Sequence, residues 1–172
     1  MAVWWRDGLI GQFQAALSTL GQAMDGCPLS DWHESQGDYP FSQVVFHTLF
    51  FTDYYLQRNP NSFRSQEFHR NHPDLFQDYE ELQWREPRNT YDRSCCGEYL
   101  QFCIDKNAAV IAEDTEKTLS GPSGFNNRPF TRGELYLYTL RHIPHHAAQL
   151  GLRVQLLTGR EREWVSSGVM KH

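Results

Sequence analysis

Two histidines one helical turn apart are the residues in this sequence best placed to do chemistry. His142 and His146 occur in the segment LRHIPHHAAQLGLRVQLL. Because residues at i and i+4 share one face of a helix, both imidazoles can reach a single point off that face. Neutral imidazole is the commonest protein ligand of transition metals. The spacing therefore indicates two ligands of a metal site.

A third histidine interrupts an apolar line in another segment. His47 occurs in QVVFHTLFFTDYYL. The helical spacing predicts that the inner line of this helix is Val44, His47, Phe51, Tyr54 and Arg58. Metal sites inside helical bundles are built from side chains that project inward from facing helices. Three histidines leave a coordination position for water, which is the usual arrangement of a catalytic zinc site. The alternative is that His47 is a core histidine bonded to a carbonyl group or a tyrosine.

The face that carries the histidine pair is polar at its centre. On a wheel of 3.6 residues per turn, Gln149 and Arg153 fall beside the two histidines. An unsatisfied buried neutral group costs about 1–3 kcal/mol, so these groups should have partners, and a metal ion would satisfy the imidazoles directly. His145 is an alternative second ligand at i, i+3, but it lies further from the centre of the stripe.

Pro144 lies between the two ligands and bears on the helical phase. A proline inside a helix removes one hydrogen bond and clashes with the preceding turn. Pro144 would therefore either kink a continuous helix or begin a new one. We expect a continuous helix for two reasons. Thr131 and Glu134 form a capping-box pattern at its start, and the residues from Leu135 to Arg153 follow a single helical periodicity.

Four helical segments and almost no strand alternation are evident. We expect helices at about 4–25, about 40–58, about 92–118 and about 131–158, the last with Gly159 as its C-cap. The predicted fold is therefore all-α, a four-helix bundle with long connections and one domain over residues 1–172.

The connection over about 60–90 is the least regular part of the chain. A connection of this length is uncommon in a compact domain and is often functional. We expect short helical turns around Pro73–Leu82. His69 and His72 are predicted to be exposed loop histidines, with a cover over the mouth of the site as the alternative.

Composition excludes several classes of function. The 172 residues carry a net charge of −5, and the basic residues are scattered without the stripe typical of nucleic-acid binding. No apolar run is long enough to span a membrane, and the first residues lack the pattern of a signal peptide, so we expect a cytoplasmic protein.

The four cysteines, including the vicinal pair Cys95 and Cys96, are expected to be free thiols.

Three segments together resemble the DinB-like, or DinB/YfiT-like, superfamily. They are HTLFFTDYYL, TYDRSCCGEYLQFC and the H-x-x-H-H-x-x-Q run of the last helix, and the likeness extends over most of the chain. Members are similar four-helix bundles with a three-histidine site for a divalent metal, and they commonly form homodimers. The resemblance places that triad on His47, His142 and His146. It implies zinc or nickel, with iron or copper also compatible. Ala148, where the family often has glycine, and Pro144 depart from the pattern.

The resemblance also implies a metal-dependent transferase. A cation on the triad would bind a low-molecular-weight thiol as its thiolate. Gln149, Arg153 and Tyr54 are then the expected substrate-binding residues, with Arg153 and the 60–90 connection holding the acidic groups of the thiol. One alternative is metal-dependent hydrolysis, for which the histidine stripe offers no carboxylate base. The other is a non-catalytic metal-binding protein associated with stress.

Overall fold

The computed structural model describes residues 3–35, 39–77, 79–83 and 89–168. Within these ranges the chain forms seven α-helices and no β-strand, which confirms the predicted all-α class. No helix in this part of the chain is long and apolar enough to cross a membrane.

Four long helices surround the core. They are α1 (Val3–Gly26), α2 (Phe41–Leu56), α5 (Arg93–Ala112) and α7 (Arg132–Thr158), and the short ones are α3 (Glu67–Asn71), α4 (Pro73–Phe76) and α6 (Glu116–Ser120). Helices α1 and α2 each pack against both α5 and α7. The four long helices therefore form a ring, and their inward apolar side chains make one core that excludes water.

Helix α7 has both of the predicted ends. The Thr131 side chain accepts from the Glu134 amide, and the Glu134 carboxylate accepts from the Thr131 amide, which completes the capping box. At the other end, Gly159 adopts a left-handed conformation (φ 69°) and its amide bonds to Gln155. The helix continues through Pro144, so the alternative of a new helix at Pro144 is wrong. Continuity keeps His142 and His146 on one face.

Helix α2 is rotated relative to its predicted orientation. Its fully buried side chains include Val45, Leu49 and Phe50, whereas Val44 and His47, from the predicted inner line, are only half-buried. The apolar run of this helix covers almost every side, so periodicity alone could not select the phase. The rotation places His47 at the edge of the core, beside α7.

The connection between α2 and α5 folds back over α2. It contains α3, α4 and two 3-10 turns, Pro60–Ser62 and Glu80–Leu82. Short helical turns were expected here, but the prediction of an exposed His69 is wrong, because this side chain is only 2% exposed. The connection is therefore attached to the core, and its last turn lies beside His47.

Candidate metal centre

The three predicted histidines come together although 95 positions separate His47 from His142. The Nε2 atom of His142 lies 3.3 Å from Nε2 of His47 and 3.1 Å from Nε2 of His146. One ligand atom from each residue lies within 4.8 Å of the other two. Helix α2 supplies one imidazole and α7 supplies two, so the packing of these two helices creates the cluster.

Two neighbouring acceptors define the tautomers of the outer histidines. Nδ1 of His47 lies 2.8 Å from a carboxylate oxygen of Glu81, and Nδ1 of His146 lies 2.8 Å from the amide oxygen of Gln149. An ionised carboxylate and an amide oxygen only accept hydrogen bonds. Each ring therefore carries a hydrogen on Nδ1, and when the ring is otherwise unprotonated its Nε2 presents a lone pair towards His142.

His142 supplies the observation that tests whether a metal ion fits. Its Nδ1 is buried and has no hydrogen-bond partner among the residues that the structure describes. If the hydrogen of His142 is on Nε2, it can be donated to only one of the two neighbouring histidines at a time. If it is on Nδ1, the Nε2 lone pairs of all three histidines point at one another. A cation between the three Nε2 atoms would bind all three lone pairs while the hydrogen of His142 stays on Nδ1, so this donor set fits a divalent metal.

The electrostatics keep His142 and His146 neutral. Burial, reinforced by the neighbouring histidines, lowers the pKa of His142 to about 3. Burial also lowers the pKa of His146 to about 4, and the hydrogen bond that its Nδ1 donates to Gln149 opposes this change. Metal binding requires deprotonated ligands, so both rings are ready to bind a cation at neutral pH.

A cavity of about 250 Å³ adjoins the cluster. Its walls come from α2, from α7, from the segment before α2 and from the end of the α2–α5 connection. The lining residues are Tyr39, Gln43, Val44, His47, Glu80, Glu81, Gln83 and His146. A small molecule in this cavity would lie beside two of the three imidazoles. The arrangement combines a candidate metal centre with a place for a second ligand.

Glu81 is the site residue that sequence reasoning missed. Its side chain is only 5% exposed, lines the cavity and bonds to His47 from 34 positions away. The carboxylate–histidine–metal arrangement is a recurrent way to orient a ligand and raise its basicity. No local pattern distinguishes Glu81 from the other acidic residues of this irregular segment, so no sequence signal could have identified it.

The three predicted substrate-binding residues occupy different environments. Gln149 bonds to His146, and the Arg153 guanidinium donates to the carbonyl oxygens of Glu34 at 2.9 Å and Tyr39 at 3.1 Å. Tyr54 packs in an aromatic cluster, with its ring 5.0 Å from that of Phe125. None of the three predicted side chains lines the cavity beside His47. Their roles in substrate binding stay predictions.

His145 lies outside the cluster. It is exposed, and its ring centre lies 4.9 Å from that of His146 without contributing a ligand atom to the group. The cluster is therefore formed at the i, i+4 spacing of α7 rather than at i, i+3.

Comparison with known proteins agrees with this geometry. The family model described as the DinB superfamily matches residues 12–150, a range that contains all three histidines and Glu81. No curated protein and no solved structure matches the chain significantly. The family match covers well over half of the sequence, and the chain belongs to the DinB superfamily.

Proposed function

We propose that this protein binds one divalent metal ion through His47, His142 and His146 and uses it to transfer a low-molecular-weight thiol to an electrophile. Zinc and nickel are the preferred metals. The observation that supports the proposal is the convergence of three Nε2 atoms, two of them on imidazoles that line a cavity. Three neutral ligands leave the charge of a divalent ion uncompensated, which favours an anionic fourth ligand such as a thiolate.

The residues of this chain would divide the work as follows. A bound divalent ion lowers the pKa of a coordinated thiol, so that the thiolate is available at neutral pH. Glu81 and Gln149 hold the His47 and His146 rings with their lone pairs towards the ion. The cavity holds the electrophile beside the thiol sulfur. The sulfur forms a bond to the electrophilic carbon, the leaving group departs with its electron pair, and the thiol proton passes to water.

Metal-dependent hydrolysis is the second candidate, and Glu81 is the observation that favours it. Its carboxylate lies at the cavity wall beside His47, where it could accept a proton from water. The two candidates differ in their dependence on this residue. Glu81→Gln should reduce hydrolysis by about 100-fold or more, because it removes the base. The same change should reduce thiol transfer only through weaker metal binding.

Elemental analysis tests the metal site. The protein is purified without a nickel column, and its metal content is compared with that of His142→Ala and of the matched control His145→Ala. We expect one equivalent of metal in the wild type and in His145→Ala, and none in His142→Ala. Metal-free wild-type protein that also binds no added zinc or nickel would contradict the proposal.

Activity assays then separate the reactions. The metal-loaded protein is incubated with bacillithiol, mycothiol or glutathione and a chloronitrobenzene electrophile, and in parallel with ester, amide and phosphate substrates. Metal-dependent loss of thiol supports transfer, whereas turnover of the second group alone supports hydrolysis. Stoichiometric metal binding with neither reaction would contradict both and leave a non-catalytic metal-binding protein.

A further inference from the structure

A second cluster of charged side chains is buried away from the three histidines. The Asp53 carboxylate is fully buried and accepts hydrogen bonds at 2.8 Å from His69 Nε2 and from the Tyr99 hydroxyl. Lys106 forms an ion pair with the other carboxylate oxygen. Buried ion pairs seldom add net stability, because desolvation offsets their attraction. Stability alone therefore does not explain this group of Asp53, His69, Tyr99 and Lys106, which we call the Asp53 cluster.

The Asp53 cluster does not contact the cavity beside His47, since none of its members lines that cavity. Aromatic rings enclose it instead. The His69 ring stacks on Phe76 with 3.6 Å between ring centres, and the Phe63 ring meets it edge to face at 4.6 Å. A substrate in the cavity cannot touch these groups. They can act on the site only through residues that lie between them and the cavity.

His69 connects the cluster to Tyr79. When the His69 ring is neutral and donates from Nε2 to Asp53, its Nδ1 accepts from the Tyr79 hydroxyl at 3.1 Å. The guanidinium of Arg64 also lies over the Tyr79 ring, 4.5 Å from its centre. Tyr79 is thus held on two sides.

The backbone of Tyr79 is strained. Its φ of 61° and ψ of 49° lie in the left-handed region, which costs free energy for a residue with a bulky side chain. Such a conformation persists only where the surrounding contacts impose it, and it clusters at functional sites. The Tyr79 amide donates to the Phe76 carbonyl at 2.8 Å, and its ring packs on Phe76 and Phe63. The hydrogen bond to His69 and the contact with Arg64 fix the polar end of the side chain.

The strained residue begins the turn that carries Glu81. The Tyr79 carbonyl accepts from the Leu82 amide at 2.9 Å, so its conformation sets the direction of the 3-10 turn Glu80–Leu82. Two residues after Tyr79, Glu81 bonds to His47 on α2. Asp53, which bonds to His69, lies on the same helix. The α2–α5 connection is therefore attached to α2 at two points.

We propose that His69 and Tyr79 are positioning residues for Glu81, and through Glu81 for the orientation and tautomer of the His47 imidazole. The strained turn places the carboxylate on Nδ1, and the carboxylate keeps the Nε2 lone pair directed at His142. The consequence for metal affinity rests on the proposed function. The tautomer itself is a property of the metal-free protein.

The test reads the His47 ring directly. Two-bond nitrogen–hydrogen NMR correlations of the metal-free protein, at about pH 8 where imidazoles are neutral, distinguish the two tautomers. We expect wild-type His47 to show the Nδ1–H form. Glu81→Ala, Tyr79→Phe and His69→Gln should each change the His47 signals to those of a mixture of the Nδ1–H and Nε2–H tautomers. The matched control is Tyr136→Phe, which removes another buried tyrosine hydroxyl, bonded to Asp114 at 2.5 Å, and should leave the tautomer unchanged.

A double variant checks that the effect passes through Glu81. If it does, Tyr79→Phe causes no further change in the His47 signals once Glu81→Ala is present. In metal competition titrations, Glu81→Ala should weaken binding about tenfold or more, and Tyr79→Phe should cause part of that loss.

The outcomes separate this proposal from the proposed function. Unchanged His47 signals in Tyr79→Phe and His69→Gln would overturn the positioning role, whatever the metal affinity. The same holds if Tyr136→Phe changes them as much. The expected NMR changes in a protein that binds no metal would support the positioning role and contradict the metal site.

Discussion

The amide oxygen of Gln149 lies 2.8 Å from Nδ1 of His146, within one turn of α7. This contact leaves Nε2 of His146 as a lone pair directed at His142, 3.1 Å away. Gln149, whose predicted contact with substrate stays a prediction, thus orients a candidate metal ligand. The relation is local to one helix, so it can be changed without disturbing how the helices pack.

Gln149→Leu should lower metal affinity about tenfold, because partners of this kind typically contribute that much or more. Gln149→Glu keeps an acceptor at the same place and adds negative charge, so it should bind at least as tightly as the wild type. Competition titration with a coloured chelator measures both. Gln155→Leu, an exposed position on the same helix, is the control. Equal affinities for Gln149→Leu and Gln155→Leu would contradict the prediction.

The metal-free protein should lose stability in acid because of His142 and His146. Burial lowers the pKa of His142 to about 3 and that of His146 to about 4, against 6.5 for ordinary histidine. As the pH falls below 6.5, the unfolded chain takes up protons at these positions that the folded chain does not. Their contribution to stability is therefore complete above pH 6.5 and declines progressively towards pH 4.

Urea unfolding in the presence of a chelator measures this effect. Between about pH 7 and pH 5, the unfolding free energy of the wild type should fall by about 1–2 kcal/mol more than that of a variant carrying His142→Asn and His146→Asn, after allowance for solvent screening. Other titrating groups are common to both proteins and cancel. Identical pH slopes would show that the two imidazoles titrate normally in the folded state.

Sequence patterns predicted those features that depend on neighbours along the chain. The capping box at Thr131, the left-handed Gly159 and the i, i+4 histidine pair each need only a few consecutive residues. His47 could be selected because a polar ring interrupts an apolar helix. These features together place two helices and three candidate ligands.

Features that depend on distant contacts could not be predicted. Glu81 reaches His47 because the connection is tied to α2 through His69 and Asp53, and none of these contacts leaves a periodic signal. The phase of α2 was wrong for a related reason. The returning connection buries a second side of that helix, so its apolar residues do not mark a single inward face.

Arg132 is another residue whose role depends on distant contacts, and it gives a prediction about stability. Its buried guanidinium donates to three carbonyl oxygens at the end of α2, those of Tyr55, Leu56 and Gln57 at 3.1, 2.8 and 2.6 Å. The last carbonyls of a helix lack partners within the helix and favour a nearby cation.

Arg132→Lys keeps the charge but cannot reach all three oxygens. It should lower the free energy of unfolding by about 2–3 kcal/mol, since hydrogen bonds to charged groups are among the stronger ones. Arg141→Lys, at an exposed position of α7, is the control and should have almost no effect. Chemical denaturation followed by circular dichroism measures both. Similar midpoints for the two variants would show that the guanidinium fork is dispensable.

Arg153 gives the last prediction, because its guanidinium contacts backbone carbonyl oxygens and its predicted role in substrate binding has yet to be tested. It donates to Glu34 and Tyr39, and the Glu34 carbonyl also accepts from the Phe41 amide at 3.2 Å. Arg153→Met should therefore loosen this segment and speed hydrogen exchange at the Phe41 amide about tenfold. Arg160→Met, at an exposed position after α7, is the control. If Arg153 instead binds an acidic substrate, the Phe41 amide stays protected and only KM rises. Because Tyr39 lines the cavity, the structural role predicts that the exchange rate of the Phe41 amide and KM both rise in Arg153→Met.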